Sequence, residues 1–82
     1  MRVTVIAPDR SIYDGDAEAV TAPAYDGQVG ILPHHAPFLT LLGEGRLAVR
    51  AGGVTRNFRV RGGFLQVVDD IVRIVAEQAT AE

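Results

Sequence analysis

The chain has 82 residues, no cysteine and 48% hydrophobic residues, so it is one small domain held by apolar packing or by docking on a partner, with a disulfide framework excluded. A net charge of −2 and a pI near 5.6 argue against a general nucleic-acid or membrane-surface binder, whose affinity rests on accumulated positive charge. The charge is uneven: residues 1–30 carry five acids against two arginines, whereas Gly45–Arg61 carries five arginines and no acid.

Apolar residues recur with period two along the chain, and no window keeps the i, i+3, i+4 pattern of a helix, so the sequence is all-β. "VTVIA" (3–7) ends at Pro8, and "SIYDG" (11–15) follows a turn at Pro8-Asp9-Arg10. "DAEAVTAPA" alternates weakly, with Pro23 marking a sheet edge or exit. "GQVGIL" follows, then the corner Pro33-His34-His35-Ala36-Pro37, then "FLTLL" and the turn "GEG".

The hairpin "GRLAVRAGGVTRNFRV" has the best-determined register. A two-residue primed turn at Gly52-Gly53 pairs Ala51 with Val54 and, stepping back, Arg50 with Thr55, Val49 with Arg56, Leu47 with Phe58 and Arg46 with Arg59. Leu47, Val49, Val54, Phe58 and Val60 then share one face, with Arg56 the misfit, while Arg46, Arg50, Thr55, Asn57, Arg59 and Arg61 share the other. "FLQVV", a turn at Asp69-Asp70 and "IVRIVAEQA" form a second hairpin, and the closing "QATAE" is expected to fray. About nine short strands in so short a chain imply two small sheets packed face to face.

The residues carry little catalytic chemistry. His34 and His35 are adjacent and point opposite ways in extended chain, so a shared metal is not expected. Ser11 is the only serine and lacks a nucleophile-elbow pattern, with no cysteine or lysine present. "GEGRLA" (43–48) matches a dinucleotide fingerprint, but strand rather than helix follows it. No cofactor and no enzymatic activity are expected. Arg46 opposite Arg59 is a like-charge pair, with Glu44 opposite Arg61 giving some relief. It suggests an acidic partner surface, and an arginine-rich hairpin binding nucleic acid or an acidic protein is the alternative function. The 17-residue uncharged run Gly27–Gly43 is broken by prolines and fails as a membrane span. The opening "MRVTVIAPDR" lacks a signal-peptide core, which makes a cytoplasmic chain the default.

Gly27, Gly30, Ile31, Pro33, His35, Ala36, Pro37 and Leu42, with Gly-Gly-Phe at 62–64 and the opening "V-x-V-I-A-P-D-R", closely resemble the epsilon subunit of F-type ATP synthases (delta in mitochondria). The resemblance spans the chain. It implies a ten-stranded β-sandwich and a non-catalytic rotor role in the central stalk, coupling rotation of the c-ring by proton flow to the gamma subunit. By position it implies a c-ring-facing loop of Tyr25, Asp26, Gly27, Gln28, Val29 and Gly30, gamma-facing residues His35, Thr40 and Arg61, and a structural corner in which Pro33 and Pro37 fix two turns and His35 supplies a hydrogen bond. His34 stands where many relatives have glycine or asparagine. Relatives usually continue into an inhibitory helical hairpin; this chain ends about where that would begin, so no hairpin is expected. The resemblance also implies a peripheral place on the cytoplasmic face of a bacterial membrane or the stromal side of a thylakoid, with membrane contact only through the complex.

Overall fold

A computed structural model describes all of residues 1–82. Eight strands form in chain order: β1 (Arg2–Ala7), β2 (Arg10–Asp16), β3 (Ala19–Ala24), β4 (Gly27–Ile31), β5 (Phe38–Leu41), β6 (Glu44–Ala51), β7 (Val54–Val68) and β8 (Ile71–Ala81). There is no helix. Hydrogen bonding follows the order β2-β1-β8-β7-β6-β3-β4, with β5 on β7.

Two layers arise because a long meander is creased. β5 and β6 pair with successive parts of β7 in one continuous register, from Phe38↔Val67 to Ala51↔Val54. β8 follows β7 from Val68↔Ile71 to Phe58↔Ala81, skipping only the Gly62 level. All three rows bend there, at Gly43, at Gly62-Gly63 and at Glu77. Gly62 and Gly63 have φ of 69° and 101°, open to glycine at little steric cost. A Cβ on Gly63 would overlap the Val75 carbonyl oxygen, and one on Gly43 would stand 3.0 Å from the Ala24 carbonyl oxygen. Glycine at the crease lets neighbouring backbones approach.

The first layer is therefore β2, β1, the start of β8, the end of β7, and β5. The second is the end of β8, the start of β7, then β6, β3 and β4. The eight strands fall short of the nine to ten expected of the sandwich, because β7 and β8 each run through both layers instead of breaking into two. β1 is parallel to β8, the one parallel pair.

One core fills the space between the layers. Val3, Val5, Leu65, Val67, Val72 and Ile74 come from the first layer; Val20, Ile31, Leu47, Val49, Phe58 and Val60 come from the second. No buried residue is polar or charged, so no desolvation penalty opposes the packing. The Tyr13 ring meets Phe58 edge-on at 6.3 Å and closes one side.

The arginine hairpin has the register read from its sequence, Gly52 and Gly53 taking φ of 59° and 76°. Three expectations change. The C-terminal residues do not fray: Ala81 pairs with Phe58, and the Glu82 amide donates to the Asn57 carbonyl at 2.9 Å. The start of β7 needs that partner, because an edge without one leaves its backbone donors open. Val54 is 62% exposed, and Arg56 is exposed on the same face, because both lie at the hairpin tip beyond the reach of the opposite layer. "GEG" is mostly strand, Glu44 and Gly45 belonging to β6.

Candidate functional site

The corner after β4 is built by proline chemistry. The His35 amide donates to the Leu32 carbonyl at 3.2 Å, closing a four-residue turn with Pro33 second and His34 third. His34 has φ 66°, as the third position of a type II turn requires, and glycine and asparagine fill that position with least strain. The glycine or asparagine that the resemblance implies at this position therefore has a backbone cause. His34 also fastens the corner, because its amide donates to Asp70 Oδ1 at 2.8 Å. Asp70 sits in the β7–β8 turn, where Asp69 and Asp70 take φ of 52° and 63°. Its carboxyl is held below the usual aspartate range by the His34 amide first, and also by the N-terminal ammonium of Met1 at 3.8 Å.

The His35 Nδ1 donates to the carbonyl of the next residue, Ala36, at 2.8 Å, and its ring meets Phe38 edge-on at 5.7 Å. Pro37 makes no second turn. The chain from His35 to Pro37 runs without regular structure into β5, and Pro37 closes that approach by fixing its own φ.

Beside this corner lies an open groove of about 940 Å³. Leu39, Leu41 and Phe64 supply its apolar surface, with Thr40 and Gln66 beside them; Tyr25 and Asp26 of the β3–β4 turn and Gln28 and Val29 of β4 form the facing wall. The loop is tied to β5 by the Tyr25 amide on the Leu41 carbonyl at 3.0 Å. Leu39, Leu41 and Tyr25 are 66%, 62% and 69% exposed. On the outer face of the first layer the apolar surface continues in register, Leu41 beside Phe64, Phe64 beside Val75, and Val75 beside Ile6. A continuous apolar band on a small domain marks an interaction surface.

The groove thus gathers Tyr25, Asp26, Gln28, Val29 and Thr40, while His35 reaches it only through its ring contact with Phe38. Gly27 and Gly30 belong to β4 on the loop's return side. Arg61 stands apart, exposed on the outer face of the second layer, paired with Glu44 in register but with no ion pair between them. Sequence reasoning missed Leu39, Leu41, Phe64, Val75 and Ile6. Their signal was present: "FLTLL" and "GGFL" place bulky apolar residues on both parities of a strand, one set for the core and one left over.

A two-layer β-sandwich that presents an apolar band beside a rigid corner and a loop has the form of a docking module. The profile of the ATP synthase delta/epsilon chain β-sandwich domain matches residues 1–82, and the chain belongs to that family. The ATP synthase epsilon chain of Caulobacter vibrioides is 38% identical over 79 residues, covering 96% of this chain and 92% of the relative. Those of Leptospira borgpetersenii and Nitratidesulfovibrio vulgaris are 39% and 42% identical, and there the chain spans only 61% and 59% of the relative's length. Among solved structures, a chain of the Euglena gracilis mitochondrial ATP synthase assembly containing OSCP, F1 and the c-ring superposes with a TM-score of 0.90 at 28% identity, over 96% of this chain and 51% of that one. A chain of the Tetrahymena thermophila mitochondrial ATP synthase central stalk and c-ring shares the fold, with a TM-score of 0.83 at 23% identity, over 98% of this chain and 65% of that one.

Proposed function

We propose that this chain is a non-catalytic rotor subunit of an F-type ATP synthase, fastening the gamma subunit to the c-ring so that rotation driven by proton flow reaches the catalytic subunits. The observation that carries this reading is the apolar band Leu39–Leu41–Phe64–Val75–Ile6 beside the loop Tyr25–Gly30, in a chain of the epsilon family. The band gives gamma an apolar surface to cover, and the loop offers the ring Asp26 and Gln28 on a stiff support. His35 and Thr40 border the groove, while Arg61 meets gamma only where gamma reaches around the crease at Gly62.

Stiffness suits the role. Torque passes through a body that does not deform, and here β7 and β8 each cross from one layer to the other, with β5 and β6 holding one shared register along β7. The chain performs no bond chemistry and needs no cofactor for this work. Its place is on an energy-coupling membrane, held indirectly through the ring, on the cytoplasmic face of a bacterial membrane or the stromal side of a thylakoid. The alternative function, a β-domain that binds nucleic acid or an acidic protein through its arginine-rich hairpin, draws no support from the family match.

The test is assembly of purified gamma subunit and c-ring with and without this chain. The reading predicts that the chain joins gamma to the ring and that Leu39→Glu with Leu41→Glu abolishes the joint. Assembly that proceeds equally well without the chain, or with the double variant, would refute it.

A further inference from the structure

The groove leaves one charged feature unused. On the outer face of the second layer, Arg46 and Arg50 of β6 lie beside Arg59 and Arg61 of β7. Two of these four arginines already hold carboxylates: Arg46 Nε donates to Glu82 Oε1 at 2.9 Å, and Arg50 Nε lies 3.4 Å from Glu18 Oε1. Arg59 and Arg61 have no acid within ion-pair distance. Arg46 and Arg59 are directly opposite, an arrangement that costs stability when both are cationic.

The surface around them is low and polar. Arg59 is flanked by Thr80, and Arg61 by Gln78 and by Glu44, which makes no ion pair with it; the row beyond runs Asn57, Ala48, Thr21 and Gly30. Arg59 and Arg61 are two residues apart on one strand face, about 6.8 Å along it, which is the spacing of alternate side chains in an extended segment. Guanidinium forks favour carboxylates in this setting. Nucleic acid is the poorer fit, because no aromatic ring on this face offers a base a stacking platform.

We infer that this face is a docking surface for an acidic segment of a partner polypeptide, in extended form, with alternate carboxylates on Arg59 and Arg61. The inference reaches beyond the rotor reading to the face away from the groove and stands without it, because its probe is a peptide and not a stalk subunit. The ion pairs that Glu82 and Glu18 make in the same sheet show the chemistry the face accepts.

The test is a titration of the full chain, followed by amide and guanidinium NMR shifts, with a ten-residue peptide alternating Glu and Thr at low salt. Its Gln-Thr counterpart and a ten-nucleotide thymidine strand serve as comparisons. Saturable shifts are expected on β6, β7 and the end of β8 with the Glu peptide alone, weakened at least ten-fold by 0.5 M salt and by Arg59→Thr with Arg61→Thr. Arg59→Lys with Arg61→Lys should keep part of the binding. Threonine suits an exposed strand and removes the like-charge pair, so the double variant should unfold at the same or a higher temperature; a lower one would mean that these arginines serve the fold. No saturable binding, binding unchanged in the threonine variant, or tighter binding of the oligonucleotide would each overturn the inference.

Discussion

Gly63→Ala is the sharpest perturbation of the crease that makes one meander into two layers. The new methyl group would overlap the Val75 carbonyl oxygen and lie 2.9 Å from Ala76 Cα, on backbone with φ 101°. Left-handed backbone costs a residue with a side chain about 1–2 kcal/mol, and forcing an extra carbon against packed backbone costs about 1–3 kcal/mol. The two together give about 2–5 kcal/mol. A domain of this size has roughly 4–12 kcal/mol of stability in total, so the variant should lose a large part of it. Two controls separate the terms. Gly52→Ala shares the positive φ, 59°, but meets nothing within 4 Å, and should lose about 1–2 kcal/mol. Gly30→Ala has open space and ordinary φ, and should change stability by less than about 0.5 kcal/mol. Urea unfolding followed by circular dichroism gives the three values from the shift in midpoint at constant slope. If Gly63→Ala loses no more than Gly52→Ala, the close approach at the crease does not constrain the fold.

Other consequences are simpler to state. Leu47→Ala removes a fully buried side chain at the centre of the second layer and should cost about 2–5 kcal/mol, seen as a lower midpoint in the same unfolding assay. Leu41→Glu, at an exposed position, should leave the isolated chain's stability within about 0.5 kcal/mol yet weaken gamma binding by about 30-fold or more, the loss of one central apolar contact of about 2 kcal/mol; calorimetric titration reads it. Asp70 has a folded pKa below its unfolded value, so its contribution is complete above the usual aspartate range and fades as pH falls through the lowered value. Asp70→Asn should therefore be less stable than the parent at pH 7, and the gap should close on acidification. A gap constant from pH 7 to pH 2 would refute that linkage.

Fold class was legible because period two runs through the whole chain, and the hairpin register followed from Gly52-Gly53 and the sorting of faces. The crease was not legible as such. "RGGF" reads locally as a break between two strands, and only the shared register of β5 and β6 on β7 shows one strand crossing between layers. The closing residues looked frayed because they are short and polar; their pairing depends on β7, a contact that adjacent sequence does not reveal. At the candidate site the loop Tyr25–Gly30 and the corner residue His35 were singled out through the motif, and most of that loop lines the groove. The leucines of β5 were missed because an apolar residue in a strand is read as core unless the other face is known to be filled already. The backbone role of His34 was hidden for another reason, since a positive φ and a bond to Asp70 leave no mark in composition or spacing.

Amide hydrogen exchange of the chain, alone and assembled with gamma subunit and c-ring, tests the central claim most directly. The account predicts new protection at Tyr25–Gly30 and at Phe38–Leu41, around the groove, with β2, at the far edge of the first layer, exchanging as in the free chain. Protection confined to β2, with the groove left unchanged, would contradict it.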